Sequence, residues 1–155
     1  MTNPMRCVVD ASVGIKQFIP DPLSSKVVQL FTYLEIPQTE IFVPDLFYIE
    51  CANIIWKYVR AGLYAAADVP TDLANLKGLS LRAVSTAELI LDATNIALNY
   101  GISAYDGSYV ALSEQVGAPL LTLDQKLVRA LADTSYDVRL FNDFDVPTPP
   151  IAQIT

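Results

Sequence analysis

Residues 103–124, SAYDGSYVALSEQVGAPLLTLD, contain the change of period on which the fold turns. Apolar residues three to four apart predict a helix over Ala104–Val116, and the short apolar run Pro119–Leu123 that follows predicts a strand ending at Asp124. A helix feeding a short, unalternating strand is the unit of a parallel sheet covered on both faces. The same junction occurs near the N-terminus, where RCVVDASVG, residues 6–14, runs an apolar segment into Asp10 and then into a helix. A carboxylate at such a junction has two readings. Asp10 or Ser12 can accept hydrogen bonds from the free N–H groups of the helix start, or Asp10 belongs to a site.

Outward from these two segments the alternation continues. Strands are expected at Cys7–Val9, Ile41–Val43, Leu81–Val84, Pro119–Leu123 and Val138–Phe141. Between them lie helical patterns at Val13–Phe18, Leu23–Leu34, Leu46–Ala61, Tyr64–Leu76, Thr86–Tyr100, Ala104–Val116 and Gln125–Ala132. Pro70 falls inside Tyr64–Leu76, where it would kink or split a helix. The pattern predicts a three-layer α/β/α domain with a central parallel sheet of about five strands over residues 1–141. Residues 142–155, NDFDVPTPPIAQIT, carry three of the ten prolines and read as an irregular C-terminal tail.

Composition excludes several kinds of chemistry. The 155 residues are 52% hydrophobic and 17% charged, enough for one compact core, and no apolar run approaches the roughly 20 residues of a membrane span. Without a secretory signal in MTNPMRCVVD, a cytoplasmic location is expected. Cys7 and Cys51 lack the spacing of a zinc or redox pair and read as buried thiols. There is no histidine, which removes Ser-His-Asp and Cys-His catalysis and histidine metal ligands. Ten basic against 17 acidic residues leave a net charge of −7, which on its face disfavours a polyanionic partner.

Carboxylates remain. In an open α/β sheet, ligands gather beyond the carboxyl ends of strands where the strand order reverses, so Asp10, Asp124 and the nearby hydroxyl of Thr122 are the first residues to consider. No GxxxxGK[ST] or GxGxxG flanks them, and no DxD ends the first strand. Two more acids lie in apolar helices. Glu50 is embedded in VPDLFYIECANIIWKYV, residues 43–59, and shares a helical face with Asn53, Lys57 and Arg60, as a solvated stripe would. Asp106 follows Tyr105 near a helix start, where the helix dipole favours an acid.

Four segments together resemble the PIN domain family, most of all its VapC-type ribonuclease toxins: VVDASV at Asp10, PDLFYIECAN at Glu50, SAYDGSYVALSEQVGAPLLTLD ending at Asp124, and DQKL after it. The resemblance spans about Cys7 to Phe141 and implies that Asp10, Glu50, Asp106 and Asp124 form the acidic site, supported by Ser12 and Asn53. Gly107 departs from it, standing where the family usually has alanine. A glycine there weakens a helix by about 1 kcal/mol, and it either marks the helix start or admits a close backbone.

Clustered carboxylates repel one another unless protonated, solvated or bound to cations, and oxygen ligands suit Mg²⁺ or Mn²⁺ better than zinc. The resemblance then implies metal-dependent hydrolysis of RNA phosphodiesters. Two divalent ions would more than halve the formal charge, and Lys16, Lys57, Arg60, Lys126 and Arg129, close in sequence to the acids, are candidate phosphate contacts. Each of the five is equally a surface partner at helical spacing. The toxin reading implies a homodimer and a small protein antitoxin. The excess of apolar residues suggests that Phe31, Tyr33, Leu34, Tyr58 and Tyr64 either form the covered patch or belong to the core. The alternative is a PIN-fold nucleic-acid-binding or scaffold protein without nuclease activity.

Overall fold

The computed structural model describes residues 3–149, in which strands and helices alternate as the sequence predicts. The order is β1 (Arg6–Val9), α1 (Ala11–Gly14), α2 (Ser24–Thr32), β2 (Glu40–Pro44), α3 (Leu46–Arg60), α4 (Val69–Gly78), β3 (Arg82–Val84), α5 (Thr86–Tyr100), α6 (Ala104–Val116), β4 (Leu120–Thr122), α7 (Gln125–Ala130) and β5 (Val138–Leu140). The five strands form one sheet in the order β3-β2-β1-β4-β5, and every pairing is parallel. The chain moves outward from β1 through β2 to β3, then crosses back to β4 on the other side of β1. The order therefore reverses between β1 and β4, and the crevice at their carboxyl ends is the position such sheets use for ligands. The crossover helices cover both faces of the central strands, whose side chains are buried on either side.

Burial explains the unalternating strands. Cys7, Val8 and Val9 of β1, Ile41, Phe42 and Val43 of β2, and Leu120 and Leu121 of β4 are all buried, because helices cover both faces of the central strands. Phe47 of α3, Leu112 of α6 and Phe141 fill the space around them. Cys7 and Cys51 are buried free thiols, and burial pushes the Cys7 thiol up to about 12. Such thiols are inert at neutral pH.

Several expected boundaries shift for local reasons. The predicted helix Tyr64–Leu76 starts instead at Val69, after a 3₁₀ turn at Ala66–Asp68, and Pro70 lies in its first turn. There its missing N–H costs nothing, so the proline begins the helix and does not break it. The first, second and last helical patterns are partly 3₁₀ or end early: Ile15–Gln17 and Tyr33–Glu35 are 3₁₀ turns, and α7 stops at Ala130. Phe141 leaves the last strand for a 3₁₀ turn over Phe141–Asp143.

The described part of the tail is irregular but docked. Lys26 Nζ donates to the Phe141 carbonyl at 2.6 Å, the Tyr33 hydroxyl donates to the Pro147 carbonyl at 2.9 Å, and Phe144 and Val146 pack on the core. Residues 150–155 of the expected tail lie outside the described residues. The proposed apolar patch is mostly core. Phe31 and Tyr33 are buried, and Leu34, Tyr58 and Tyr64 pack against the core while partly covered. The exposed large apolar side chains are elsewhere, with Ile49 and Trp56 on α3 and Ile90, Leu91 and Leu98 on α5. Among the described residues no helix is long and apolar enough to cross a membrane.

Candidate active site

Asp10 follows β1 and caps α1, its carboxylate accepting from the Val13 N–H at 3.2 Å. It also accepts from both flanking hydroxyls, Ser12 Oγ on Oδ1 and Thr122 Oγ1 on Oδ2, each at 2.5 Å. Capping and membership of a cluster are therefore two roles of one side chain. The same hydroxyls also accept from the backbone that follows β4. Ser12 Oγ accepts from the Leu123 N–H at 3.1 Å, and Thr122 Oγ1 accepts from the Asp124 N–H at 3.1 Å. Asp124 in turn caps α7 through the N–H groups of Lys126 and Leu127. The reversal point of the sheet is thus stitched by two hydroxyls, with an acid on each strand end.

The other two acids are carried by helices. Glu50, half-buried on α3, accepts a 2.6 Å hydrogen bond from the Tyr109 hydroxyl of α6. Asp106 lies in the first turn of α6, whose cap Ser103 accepts from the Asp106 N–H at 3.0 Å. Its backbone runs close to α5, since a Cβ on Gly107 would stand 2.3 Å from the Ala93 carbonyl oxygen. Gly107 therefore serves close backbone approach and lies inside the helix, not at its start. Gly14 is a second tight point, where a Cβ would meet the Phe47 ring at 2.6 Å.

The charges of these acids feel one another. Burial pushes the Asp10 carboxyl up to about 6, offset in part by its three hydrogen bonds and reinforced by the charge of Asp106. Burial raises Glu50 too, with the Tyr109 hydrogen bond opposing and Asp106 adding. Asp106 is raised by burial and then by Asp124. Asp106 thus lies within electrostatic range of each of the other three acids. The donor set, oxygen only, fits a hard divalent cation. Among the described residues no three acids or thiols gather as a ready-made cage.

Residues 7–132 match the family profile of the PIN domain. The chain belongs to the PIN domain family. Ribonuclease VapC3 of Pyrobaculum aerophilum is 35% identical over 125 residues, which cover 79% of this chain and 92% of that protein. PAE2754 from Pyrobaculum aerophilum superposes with a TM-score of 0.62 at 22% identity, over 87% of this chain and 83% of that one. A chain of a toxin–antitoxin complex from Klebsiella pneumoniae gives 0.55 at 11% identity, over 86% and 95%. FitAcB from Neisseria gonorrhoeae gives 0.52 at 19% identity, over 90% and 100%. These structural likenesses are of fold, and they agree on the PIN architecture.

Around this PIN crevice the remaining candidates divide. Ser12 and Thr122 touch Asp10 directly, whereas Asn53 is exposed one turn beyond Glu50. Lys57, Arg60, Lys126 and Arg129 are exposed, and Arg129 reaches the Gln125 side chain at 3.0 Å. Lys16 is engaged elsewhere, in a 3.2 Å ion pair with Asp21. Sequence reading did not assign Tyr109 a role. Its signal was only a second tyrosine four residues after Tyr105 in the third segment, with nothing to show that its hydroxyl meets a helix 59 residues away.

Proposed function

We propose that this PIN-domain protein is a metal-dependent endoribonuclease that hydrolyses RNA phosphodiester bonds, and that it acts in the cytoplasm as the toxin of a toxin–antitoxin pair. The observation that carries the reading is the crevice at the reversal point of the sheet, where Ser12 and Thr122 hold the Asp10 carboxylate beside the strand end that leads to Asp124, with Glu50 and Asp106 on the neighbouring helices α3 and α6, which the Tyr109–Glu50 hydrogen bond ties together. The 35% identity to a protein named as a ribonuclease supports it, as does a fold shared with a chain of a toxin–antitoxin complex.

In this reading Asp10, Glu50, Asp106 and Asp124 hold Mg²⁺ or Mn²⁺. The chemistry supplied by the bound cation is Lewis acidity toward water and the phosphoryl oxygens. The chain's own contribution is placement. Ser12, Thr122 and the Val13 N–H fix both oxygens of Asp10, and Tyr109 fixes Glu50. Lys57 and Arg60, exposed on the helix that carries Glu50, and Lys126 and Arg129, exposed on the helix that follows Asp124, contact the RNA phosphates. Exposed Ile90, Leu91 and Leu98 of α5 offer an apolar face to a second copy, making a homodimer, and a small protein antitoxin is the expected inhibitor.

Purified full-length protein with Mg²⁺ or Mn²⁺ should cleave single-stranded RNA, and EDTA should abolish the cleavage. Undiminished cleavage in EDTA would overturn the metal mechanism, and no cleavage with either metal would favour the scaffold alternative.

A further inference from the structure

A groove of about 550 Å³ opens beside the acids, lined by Leu46, Ile49, Ala52, Asn53 and Trp56 of α3, by Tyr105 of α6 and by Glu50 itself. Trp56 and Tyr105 are 51% and 65% exposed, so two aromatic rings face solvent next to Glu50 and Asp106. Neither ring is needed by the core. The Arg60 guanidinium lies over Trp56 at 5.0 Å, which sets a planar cation against the ring.

We infer that this groove is a nucleobase subsite, in which a base flanking the scissile phosphate of single-stranded RNA stacks on Trp56 and Tyr105. The inference rests on the nuclease reading and adds a source of affinity. A chain of net charge −7 is poorly equipped to hold phosphates, and several of its cations are already committed. Arg6 and Arg82 both pair with Glu40, Arg139 pairs with Asp137, and Lys16 pairs with Asp21. Base stacking on aromatic rings does not depend on net charge and tolerates any sequence. The groove is also continuous with the acids, since Glu50 lines it and Tyr105 precedes Asp106. An RNA strand reacting there must place a neighbouring nucleotide at its mouth.

The two polar side chains of the lining, the Glu50 carboxylate and the Asn53 amide, favour an occupant with donors and acceptors of its own over a wholly apolar segment. Such a segment would cover the Glu50 carboxylate and the Asn53 amide without partners, which is costly. A base leaves water at its edges and can pair with the amide of Asn53 through its own donors and acceptors.

Trp56 is the only tryptophan in the chain, so its emission reports on this groove alone. Asp10→Asn protein in Mg²⁺ should be titrated with unlabelled single-stranded RNA while binding is followed separately by anisotropy of a labelled copy. Trp56 emission should be quenched along the anisotropy isotherm. In the same Asp10→Asn background, Trp56→Ala should weaken binding by roughly 5- to 100-fold, and Trp56→Phe should retain most of the affinity. Replacing the stacked nucleotide by an abasic one should weaken binding to otherwise unchanged protein and add nothing to Trp56→Ala, a result that does not depend on how the variant folds. RNA binding with unchanged emission, no abasic effect and full affinity in Trp56→Ala would overturn the subsite and leave the nuclease reading standing. No RNA binding, together with no cleavage by the wild type, would overturn both.

Discussion

The two halves of the acidic crevice are built differently. On the strand side, Asp10 and Asp124 follow β1 and β4, each caps a helix, and the hydroxyls of Thr122 and Ser12 join the two strand ends through two hydrogen bonds, to the Asp10 carboxylate and from the Leu123 N–H. On the helix side, Glu50 and Asp106 are half-buried, Glu50 is held by one phenol, and Asp106 is placed by the packing of α6 on α5. The strand side is fixed by backbone and short polar side chains. The helix side is fixed by how closely two helices approach. Perturbing the first should therefore change chemistry and charge, and perturbing the second should change position.

The largest effect is expected at Asp10. Asp10→Asn should lower RNA cleavage by orders of magnitude while leaving the fold intact, and cleavage within tenfold of wild type would remove Asp10 from the reaction. The carboxyl also makes stability depend on pH. Its folded pKa of about 6 lies above the ~3.9 of an unfolded Asp, so the folded state holds more protons between about pH 4 and 6. Metal-free stability from this group is present below pH 4 and is lost as pH rises through 6, by about 3 kcal/mol. Melts across that range should show this slope in the wild type and a correspondingly smaller one in Asp10→Asn.

Asp106 tests the linkage between the halves. Without metal, Asp106→Asn should raise the melting temperature, because it removes the charge that raises both Asp10 and Glu50. With Mg²⁺ the order should reverse, since wild type gains about 2.7 kcal/mol at a hundred times its Kd and the variant gains much less. Equal metal-induced shifts in the two proteins would take Asp106 out of the site.

Position is probed by Gly107→Ala. Alanine gains about 1 kcal/mol of helix propensity, but its Cβ would stand 2.3 Å from the Ala93 carbonyl, a clash against backbone that cannot rotate away. Overpacking of this kind costs about 1–3 kcal/mol, so a net loss of stability is expected in chemical denaturation. An unchanged or raised midpoint would show that α5 yields freely. The smallest effect is at Tyr109→Phe, which keeps the ring and loses one hydrogen bond to Glu50. A loss of about 1 kcal/mol is expected, with weaker Mn²⁺ binding by calorimetry. Unaltered Mn²⁺ affinity would mean that Glu50 needs no such support.

The same contrast separates what could be read from the sequence from what could not. The strand side was legible because each acid closes a short apolar run and opens a helix, a junction that local pattern reveals. Its two cross-strand hydrogen bonds needed only the knowledge that β1 and β4 are neighbours. The helix side was legible in its acids but not in their supports, since the Tyr109–Glu50 bond and the Gly107–Ala93 approach join elements whose relative placement no periodicity encodes. Gly107 illustrates the limit: both readings of a mid-segment glycine were available, and only packing chose between them. Pro70 and the buried Phe31 and Tyr33 follow the same logic. A proline in the first turn and an aromatic in the core look, in one dimension, like a helix break and a surface patch.

The hydrogen bond from Thr122 to Asp10 joins residues 112 positions apart, and β4 pairs directly with the first strand of the chain. Contacts of such separation are paid for in loop-closure entropy before they return anything, so they form late. A growing polypeptide carries Asp10 and Glu50 for most of its synthesis without the strand that completes the crevice. The acids are brought together only when β4 inserts beside β1. Synthesis order thus acts as a timer, and the catalytic constellation proposed here comes into existence only once nearly the whole domain has left the ribosome.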